Sequence, residues 1–299
     1  MTAESQRVVR TRLAPTPSGY LHFGNACSFV LTWLTARAAR GKVMLRIDDL
    51  DAARKRPEYI ADVFESLDWL GLDYDEGPTG PDDFERNYSQ HLRLDLYAEA
   101  LDQLRKNGLM FPCDCSRATI RESANGLHPA SCATNTEERD FDQPNIAWRI
   151  STELANMVEW SDADGQPRSV NLHDAMRDFV VRRKDRIPSY QIASLVDDRE
   201  YGINTIVRGS DLLESTAAQR WLAEKLKQNE FLSVDFIHHD LVLDKDQQKL
   251  SKSDGSTSLR ALRANPDNRA GVFEKISQWL KLPAKAGSAR ELLDVWSAN

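Results

Sequence analysis

The chain has no apolar run approaching the length of a membrane span, so no transmembrane helix is expected. Residues 1–10 are polar and lack the apolar stretch of a secretion signal, which makes the cytoplasm the expected compartment. Cysteine is scarce, with four in 299 residues: Cys27, Cys113, Cys115 and Cys132. In a cytoplasmic chain of this size a disulfide framework is not expected. Positive charge is also short, with 39 lysines and arginines against 46 acids and a net charge of -7. Bulk charge therefore advertises no nucleic-acid partner, although a local basic face suffices for one. The best candidate face is 177–186, with Arg177, Arg182, Arg183, Lys184 and Arg186, and its plainest reading is a solvated helix surface. Neither the Walker loop nor the dinucleotide fingerprint is present, because the glycine spacings do not match. No Ser-His-Asp or Cys-His order suggests a protein nucleophile, and there is no internal repeat or low-complexity tract.

What is present is an ordinary globular composition, 41% hydrophobic and 28% charged, enough for one large or two unequal domains. Residues 8–13 alternate apolar and basic and read as a strand. A Pro-Gly-rich turn follows, then a helix from Asn25, its expected cap, to about Arg40, where Gly41 stops it. Residues 42–47 form a second strand ending in Asp48, Asp49 and Asp51, and Pro57 opens a helix with Ile60, Val63, Phe64, Leu67 and Leu70 at helical spacing. Strand, helix, strand, helix predicts a parallel α/β sheet with its ligand beyond the C-terminal strand ends. Residues 89–107 read as helix, 113–142 as irregular, and 146–150 and 158–160 as short strands. The sheet pattern is expected to resume at 189–196 and 203–207. A helix over 215–227 has Ser215 or Thr216 as its expected cap, and the tail after Ser253 reads as a small helical appendage.

Two motifs carry the chemistry. The first is Ala14-Pro15-Thr16-Pro17-Ser18-Gly19-Tyr20-Leu21-His22-Phe23-Gly24-Asn25, a turn just before a helix. Gly19 and Gly24 permit close approach of a phosphate to the main chain, Pro15 and Pro17 stiffen the entry, and His22 can donate to charge developing on a phosphate. The second is Lys249-Leu250-Ser251-Lys252-Ser253, whose lysines can neutralise phosphates from the other side. Either alone is read as structural; together, in this order, they point to ATP-driven activation of a carboxylate.

These motifs resemble the two signature motifs of class I aminoacyl-tRNA synthetases. The resemblance implies a Rossmann-like parallel-sheet catalytic domain that forms an aminoacyl adenylate from ATP with Mg2+ and passes it to tRNA. It implies that His22 and Lys252 are catalytic, Lys252 stabilising the departing pyrophosphate. The ATP site would comprise Pro15, Thr16, Gly19, His22, Gly24, Asn25, Lys249, Ser251, Lys252 and Ser253.

Arg12, Asp48, the Pro188–Ser194 stretch and Val207-Arg208-Gly209-Ser210-Asp211 resemble the glutamate-handling segments of glutamyl-tRNA synthetases. The chemistry is coherent: Arg12 and Arg208 suit a dicarboxylic amino acid, Asp48 suits its ammonium, and Tyr190 adds a hydroxyl and a ring wall. The implied glutamate site comprises Arg12, Leu13, Ala14, Pro15, Thr16, Asp48, Tyr190 and Arg208. The family usually has Glu at the position of Asp48, in Arg46-Ile47-Asp48-Asp49, and the shorter carboxylate raises glutamine as an alternative substrate. Arg208 favours L-glutamate.

Cys113 and Cys115 stand two apart, and His128 and Cys132 four apart. Three thiolates and an imidazole suit tetrahedral Zn2+, although on spacing alone unrelated cysteines are an equal reading. The chain resembles the short glutamyl-Q tRNA(Asp) synthetases, which carry a Cys-x-Cys…Tyr-x3-Cys zinc site here; His128 replaces the Tyr. The metal is then expected to be structural, in an inserted subdomain shaped for the tRNA acceptor end, with Cys27 a core residue.

The resemblance implies a Rossmann-like catalytic domain over 1–110 and 187–240. It also implies an inserted zinc-bearing subdomain over 111–186, and the second motif with a helical region over 241–299. Only residues 254–299 follow the second motif, so no anticodon-reading region is expected. By resemblance the partners are L-glutamate, ATP and tRNA(Asp), the acceptor is queuosine in its anticodon, and no membrane is involved. The alternatives are a truncated glutamyl-tRNA synthetase charging a tRNA 3′ end and an inactive tRNA-binding module.

Overall fold

The computed structural model describes residues 7–123, 128–129, 131–134, 139–153, 155, 157–242 and 258–298. The strands are β1 (Arg10–Leu13), β2 (Lys42–Leu45), β3 (Met110–Cys113), β4 (Ala147–Ile150), β5 (Met157–Ser161), β6 (Pro167–Asn171), β7 (Phe179–Arg182), β8 (Thr205–Gly209) and β9 (Asp235–His239). The main helices are α1 (Phe23–Ala38), α2 (Pro57–Leu70), α3 (Leu94–Lys106), α4 (Tyr190–Glu200), α5 (Leu213–Lys225), α6 (Leu259–Arg263), α7 (Asn268–Trp279) and α8 (Ala289–Ser297). The chain forms two compact units, one of residues 1–90, 203–210 and 236–299, the other of 91–202 and 211–235. Helices α3 and α5, placed by sequence with the catalytic strands, thus fall in the second unit.

In the first unit β1 and β2 pair in parallel, Arg10 opposite Lys42 through Leu13 opposite Leu45, and α1 is the crossover between them. Beyond β2, Leu45 N–H donates to the Glu76 carbonyl at 2.8 Å and Asp75 N–H to the Val43 carbonyl at 2.8 Å. Gly77 then turns with φ of 118°, and a Cβ there would stand 2.3 Å from the Leu45 oxygen, so a side chain is excluded twice over. On the other side Asn204 clips β1: its N–H reaches the Arg10 carbonyl at 2.9 Å, and its Oδ1 accepts Arg10 N–H at 2.8 Å. Strand β8 follows Asn204 and neighbours β9.

Helix α2 starts with Pro57 in its first turn and ends at Gly71 in the left-handed conformation. It buries Ile60, Val63, Leu67 and Leu70. These share one core with Leu13, Val30, Leu34, Val43 and Leu45, and with Val272, Phe273, Ile276 and Leu292 from α7 and α8. The helices of the tail are therefore packed into the core of the first unit.

The second unit holds an antiparallel sheet in the order β3-β4-β7 and a separate β5-β6 hairpin that packs on α5. The sequence reading of 189–196 as strand is corrected here: Tyr190–Glu200 is helix α4. Gln191 to Asp198 are all buried, so the helix has no solvated stripe to reveal its period. Within it Asp197 is fully buried and accepts from Tyr97 at 2.9 Å and Arg93 Nε at 2.8 Å, which satisfies an otherwise costly charge. The expected cap of α5 is also corrected. The helix begins at Leu213, directly after a 3-10 turn over Ser210–Leu212, and Thr216 bonds back to the Leu212 carbonyl at 3.1 Å instead of capping. Among the described residues no helix is long and apolar enough to cross a membrane.

Ion pairs fasten the β2 edge. Glu76 pairs with Arg10 and with Lys42 at 3.6 Å, and Asp75 accepts from Arg37 at 2.8 Å. The Arg10 hydrogen bond holds the Glu76 carboxyl below the usual carboxylate range, against the opposing effect of burial. For Asp75 burial pushes upward, but the Val43 N–H and Arg37 outweigh it and the net shift is downward. A carboxyl depressed in the folded state stabilises above its unfolded value and loses that contribution as pH falls through the folded one. Glu76→Gln is therefore expected to be less stable than the parent above about pH 5, with the gap closing below about pH 4. Urea midpoints at several pH values read this, and a gap that does not depend on pH would contradict it.

Candidate active site and metal centre

The parallel ladder continues past the strand ends. Arg46 N–H donates to the Leu13 carbonyl and Asp48 N–H to the Pro15 carbonyl, both at 2.9 Å. The loop after β1, with Leu13, Ala14, Pro15 and Thr16, is thereby held against Asp48. Arg12, on β1, is buried and its Nη1 lies 3.4 Å from the Val207 carbonyl of β8. The next residue, Arg208, is also buried and its guanidinium lies 5.0 Å from the centroid of the Phe236 ring. Two buried guanidiniums on neighbouring segments are what a carboxylate ligand needs for strong, directional pairing.

Asp48 is buried, and Arg46 grips it with two bonds, Nε to Oδ1 at 2.7 Å and Nη2 to Oδ2 at 3.1 Å. This pair is absent from the sequence reading. Its signal is the i, i+2 spacing in extended chain, which puts both side chains on one face. A carboxylate so held retains acceptor sites for an ammonium. The adjacent Asp49 is buried and accepts from Lys55 at 3.0 Å, Ser89 Oγ at 2.7 Å and Gln90 N–H at 2.8 Å.

His22, not Asn25, caps α1. Its Nδ1 accepts the Gly24 N–H at 3.1 Å, while Asn25, three residues on, accepts the His22 N–H at 3.0 Å. This is a capping box with His and Asn in place of the usual Ser or Thr and Glu. With Nδ1 an acceptor, the proton of the neutral ring sits on Nε2, the tautomer that can donate to a phosphate oxygen. A Cβ at Gly24 would lie 3.0 Å from His22 Cε1 and press on the imidazole. Gly19 and Thr16 stand in the same loop, where Ser18 N–H closes a turn on the Thr16 carbonyl at 2.9 Å.

The second motif, Lys249, Ser251, Lys252 and Ser253, lies outside the described residues. The segment after it does not: Ser258 bridges His22, and Leu259 N–H donates to the Leu21 carbonyl at 2.7 Å. Only residues 254–257 separate Ser253 from this pairing. Tyr190, partly exposed at the start of α4, belongs to the other unit.

In that second unit Cys113, Cys115, His128 and Cys132 converge, their ligand atoms all within 4.8 Å of one another. His128 Nε2 is 3.3 Å from Cys113 Sγ, and Cys132 Sγ lies 3.6 Å from Cys115 Sγ and 3.7 Å from Cys113 Sγ. A zinc tetrahedron with bonds of about 2.3 Å has sulfur–sulfur edges of about 3.8 Å, so these spacings fit it. A disulfide, at about 2.05 Å, they do not fit. His128 Nδ1 faces buried Asp178 at 3.2 Å, the carboxylate that fixes a ligating imidazole. Arg149 Nε donates to Cys113 Sγ at 3.2 Å and Arg139 to Cys132 Sγ at 2.8 Å. Asp178, Arg149 and Arg139 are the partners that sequence reasoning missed.

The charges suit a thiolate site. Burial pushes the Cys113 thiol up, but the His128 hydrogen bond and the Arg149 charge bring it down to about 6. Cys115 is pushed up to about 12 by burial and by Cys113, so its deprotonation waits on a cation. Cys27 is fully buried and its thiol is pushed well up by that burial, as a core residue's should be.

Residues 8–279 match the family model described as tRNA synthetases class I (E and Q), catalytic domain. The glutamyl-Q tRNA(Asp) synthetase of Nitratidesulfovibrio vulgaris is 37% identical over 272 residues, spanning 86% of this chain and 81% of the relative. That of Symbiobacterium thermophilum is 38% identical over 292 residues, spanning 91% and 87%. Glutamate–tRNA ligase 2 of Syntrophus aciditrophicus is 35% identical over 268 residues, spanning 85% of this chain and 54% of the relative. A crystal structure of a glutamate tRNA ligase from Elizabethkingia meningosepticum shares the fold, with a TM-score of 0.72 at 22% identity, covering 97% of this chain and 66% of that one.

Two outcomes follow from the geometry. Gly24→Ala drives a methyl into His22 and is expected to slow ATP–pyrophosphate exchange about 10- to 100-fold while the fold stays intact; exchange at parental rate would contradict the role of the His22 turn. Metal analysis of the purified protein is expected to find one zinc per chain, lost in Cys113→Ser. A folded, metal-free parent protein would contradict the centre.

Proposed function

From the premise that this chain belongs to the class I glutamyl- and glutaminyl-tRNA synthetase family, in its glutamyl-Q tRNA(Asp) synthetase branch, we propose that it activates L-glutamate as glutamyl-adenylate and transfers it to queuosine in the anticodon of tRNA(Asp). In the first step an α-carboxylate oxygen of glutamate attacks the α-phosphorus of ATP. A carboxyl–phosphate bond forms, the bond to the β-phosphate oxygen breaks, and pyrophosphate leaves. In the second step the acceptor nucleoside attacks the glutamyl carbonyl and AMP leaves. Neither step needs a protein nucleophile; both need alignment and charge neutralisation.

The observation that carries the choice of glutamate is the pair of buried guanidiniums, Arg12 on β1 and Arg208 on neighbouring β8. A guanidinium pairs more strongly with a carboxylate than with a neutral amide, which favours glutamate over glutamine. Arg208 is proposed to take the γ-carboxylate, and Asp48, oriented by Arg46, the α-ammonium. The hydroxyl and ring wall proposed for Tyr190 rest on sequence resemblance alone. His22 Nε2–H is proposed to donate to the α-phosphate. Lys252, with Lys249, Ser251 and Ser253, is proposed to meet the pyrophosphate, whose charge Mg2+ arriving with ATP shares.

The zinc-bearing stretch 111–186 is proposed as a structural insertion that shapes a tRNA-facing surface. With three cysteines and one histidine as ligands, no coordination position is left for catalysis. The acceptor nucleoside and tRNA(Asp) come from the names of the relatives, and the cytoplasm is the proposed compartment.

The test is transfer of labelled glutamate to queuosine-containing and queuosine-free tRNA(Asp), with nuclease mapping of the label. The expected result is label on the anticodon nucleoside of the queuosine-containing tRNA alone, abolished in Lys252→Ala. Label on the terminal adenosine would favour ordinary charging. No adenylate at all would favour a tRNA-binding module.

A further inference from the structure

An ion pair outside both motifs fastens the stem of the His22 turn. Asp62, on α2, is 2% exposed. Its Oδ2 accepts the N–H of Leu21 at 3.0 Å, and its Oδ1 accepts Arg263 Nη1 at 2.9 Å. Leu21 is the residue before His22, and Arg263 ends α6, the helix that begins after the second motif. The same guanidinium donates to Ser66 Oγ at 2.6 Å and pairs with Glu65, both on α2.

Leu21 has both backbone groups committed: its N–H goes to Asp62 and its carbonyl to Leu259 N–H at 2.7 Å. Tyr20 adds a ring contact on each side. Its face lies 4.6 Å from the Arg260 guanidinium on α6, and its ring meets Tyr59 of α2 edge-on at 5.0 Å. The stem of the His22 turn is thus clamped between α2 and α6.

Resting on the adenylate-forming reading above, we propose that Asp62 and Arg263 are positioning residues for catalysis: they hold the stem of the His22 turn between α2 and α6, so that the imidazole keeps its alignment toward the reacting phosphate. The physical reason is the cost of disengaging them. A buried carboxylate that loses its guanidinium is an uncompensated charge, so a clamp that slips breaks this pair. The pair therefore acts on alignment in the transition state rather than on ATP affinity, and a shift of about 1 Å in such a site costs on the order of 100-fold in rate.

The experiment is steady-state ATP–pyrophosphate exchange with Asp62→Asn, Arg263→Gln and the double variant, alongside Arg263→Lys. Asparagine keeps an acceptor for Leu21 N–H and removes only the charge. The expected result is a kcat about 10- to 100-fold down in each single variant, with KM for ATP and glutamate changed less than about threefold. The double variant should be no worse than the poorer single one, because both remove one interaction, and Arg263→Lys should recover part of the rate. Additive losses, a KM effect with kcat intact, or parental exchange in folded Asp62→Asn would overturn the proposal. If Asp62→Asn does not fold, Arg263→Lys against Arg263→Gln reads the same kcat effect, and equal rates overturn it. Failure of the parent protein itself to exchange would instead sink the adenylate-forming reading.

Discussion

Everything at the candidate active site depends on the parallel pairing of β1 with β2 running past the ends of both strands, to Pro15 and Asp48. The bonds from Arg46 N–H to Leu13 and from Asp48 N–H to Pro15 bind the loop after one strand to the loop after the other. A parallel pair cannot be closed by a tight turn; it needs a crossover, and α1 supplies it. The start of that crossover is where His22 sits. One topological requirement thus brings together a helix N-terminus, a histidine held in a single tautomer by capping, and a buried acid.

The electrostatics of the first unit are arranged in pairs. The buried acids are each given a cation: Arg46 for Asp48 and Lys55 for Asp49 after β2, Arg263 for Asp62 on α2. Arg12 and Arg208 add two buried guanidiniums beside these pairs, one reaching the Val207 carbonyl and the other the Phe236 ring. In the second unit the balance runs the other way. With a divalent cation bound, three thiolates and a histidine would carry a net negative charge, which Arg149 and Arg139 are placed to offset at the sulfurs while Asp178 orients the imidazole.

Much of this was legible in the sequence because it is local. The strand-helix-strand-helix opening, the Pro57 start of α2, and the Cys-x-Cys and His-x3-Cys spacings all follow from neighbours along the chain. What was not legible lies in two classes. Helix α4 reads as strand because it is buried on every side, so the apolar period that betrays a surface helix is absent. The partners Asp62 with Arg263, and Asp178 with His128, are separated by long stretches of chain and carry no pattern until folding makes them adjacent. The capping of α1 is an intermediate case. The sequence puts Asn25 at the cap, but His22 holds that place and Asn25 the third helical position, since histidine rarely serves as a cap.

The central claim is that two buried guanidiniums make this site select a dicarboxylic amino acid. Calorimetric binding of two non-reactive adenylate analogues, glutamyl and glutaminyl sulfamoyl adenosine, tests it most directly, since they differ only in the terminal carboxylate or amide. A charge-assisted pair in a buried site predicts about 10- to 100-fold tighter binding of the glutamyl analogue, a preference that Arg208→Leu removes. Equal affinity for the two analogues, or a preference for the glutaminyl one, would contradict the account.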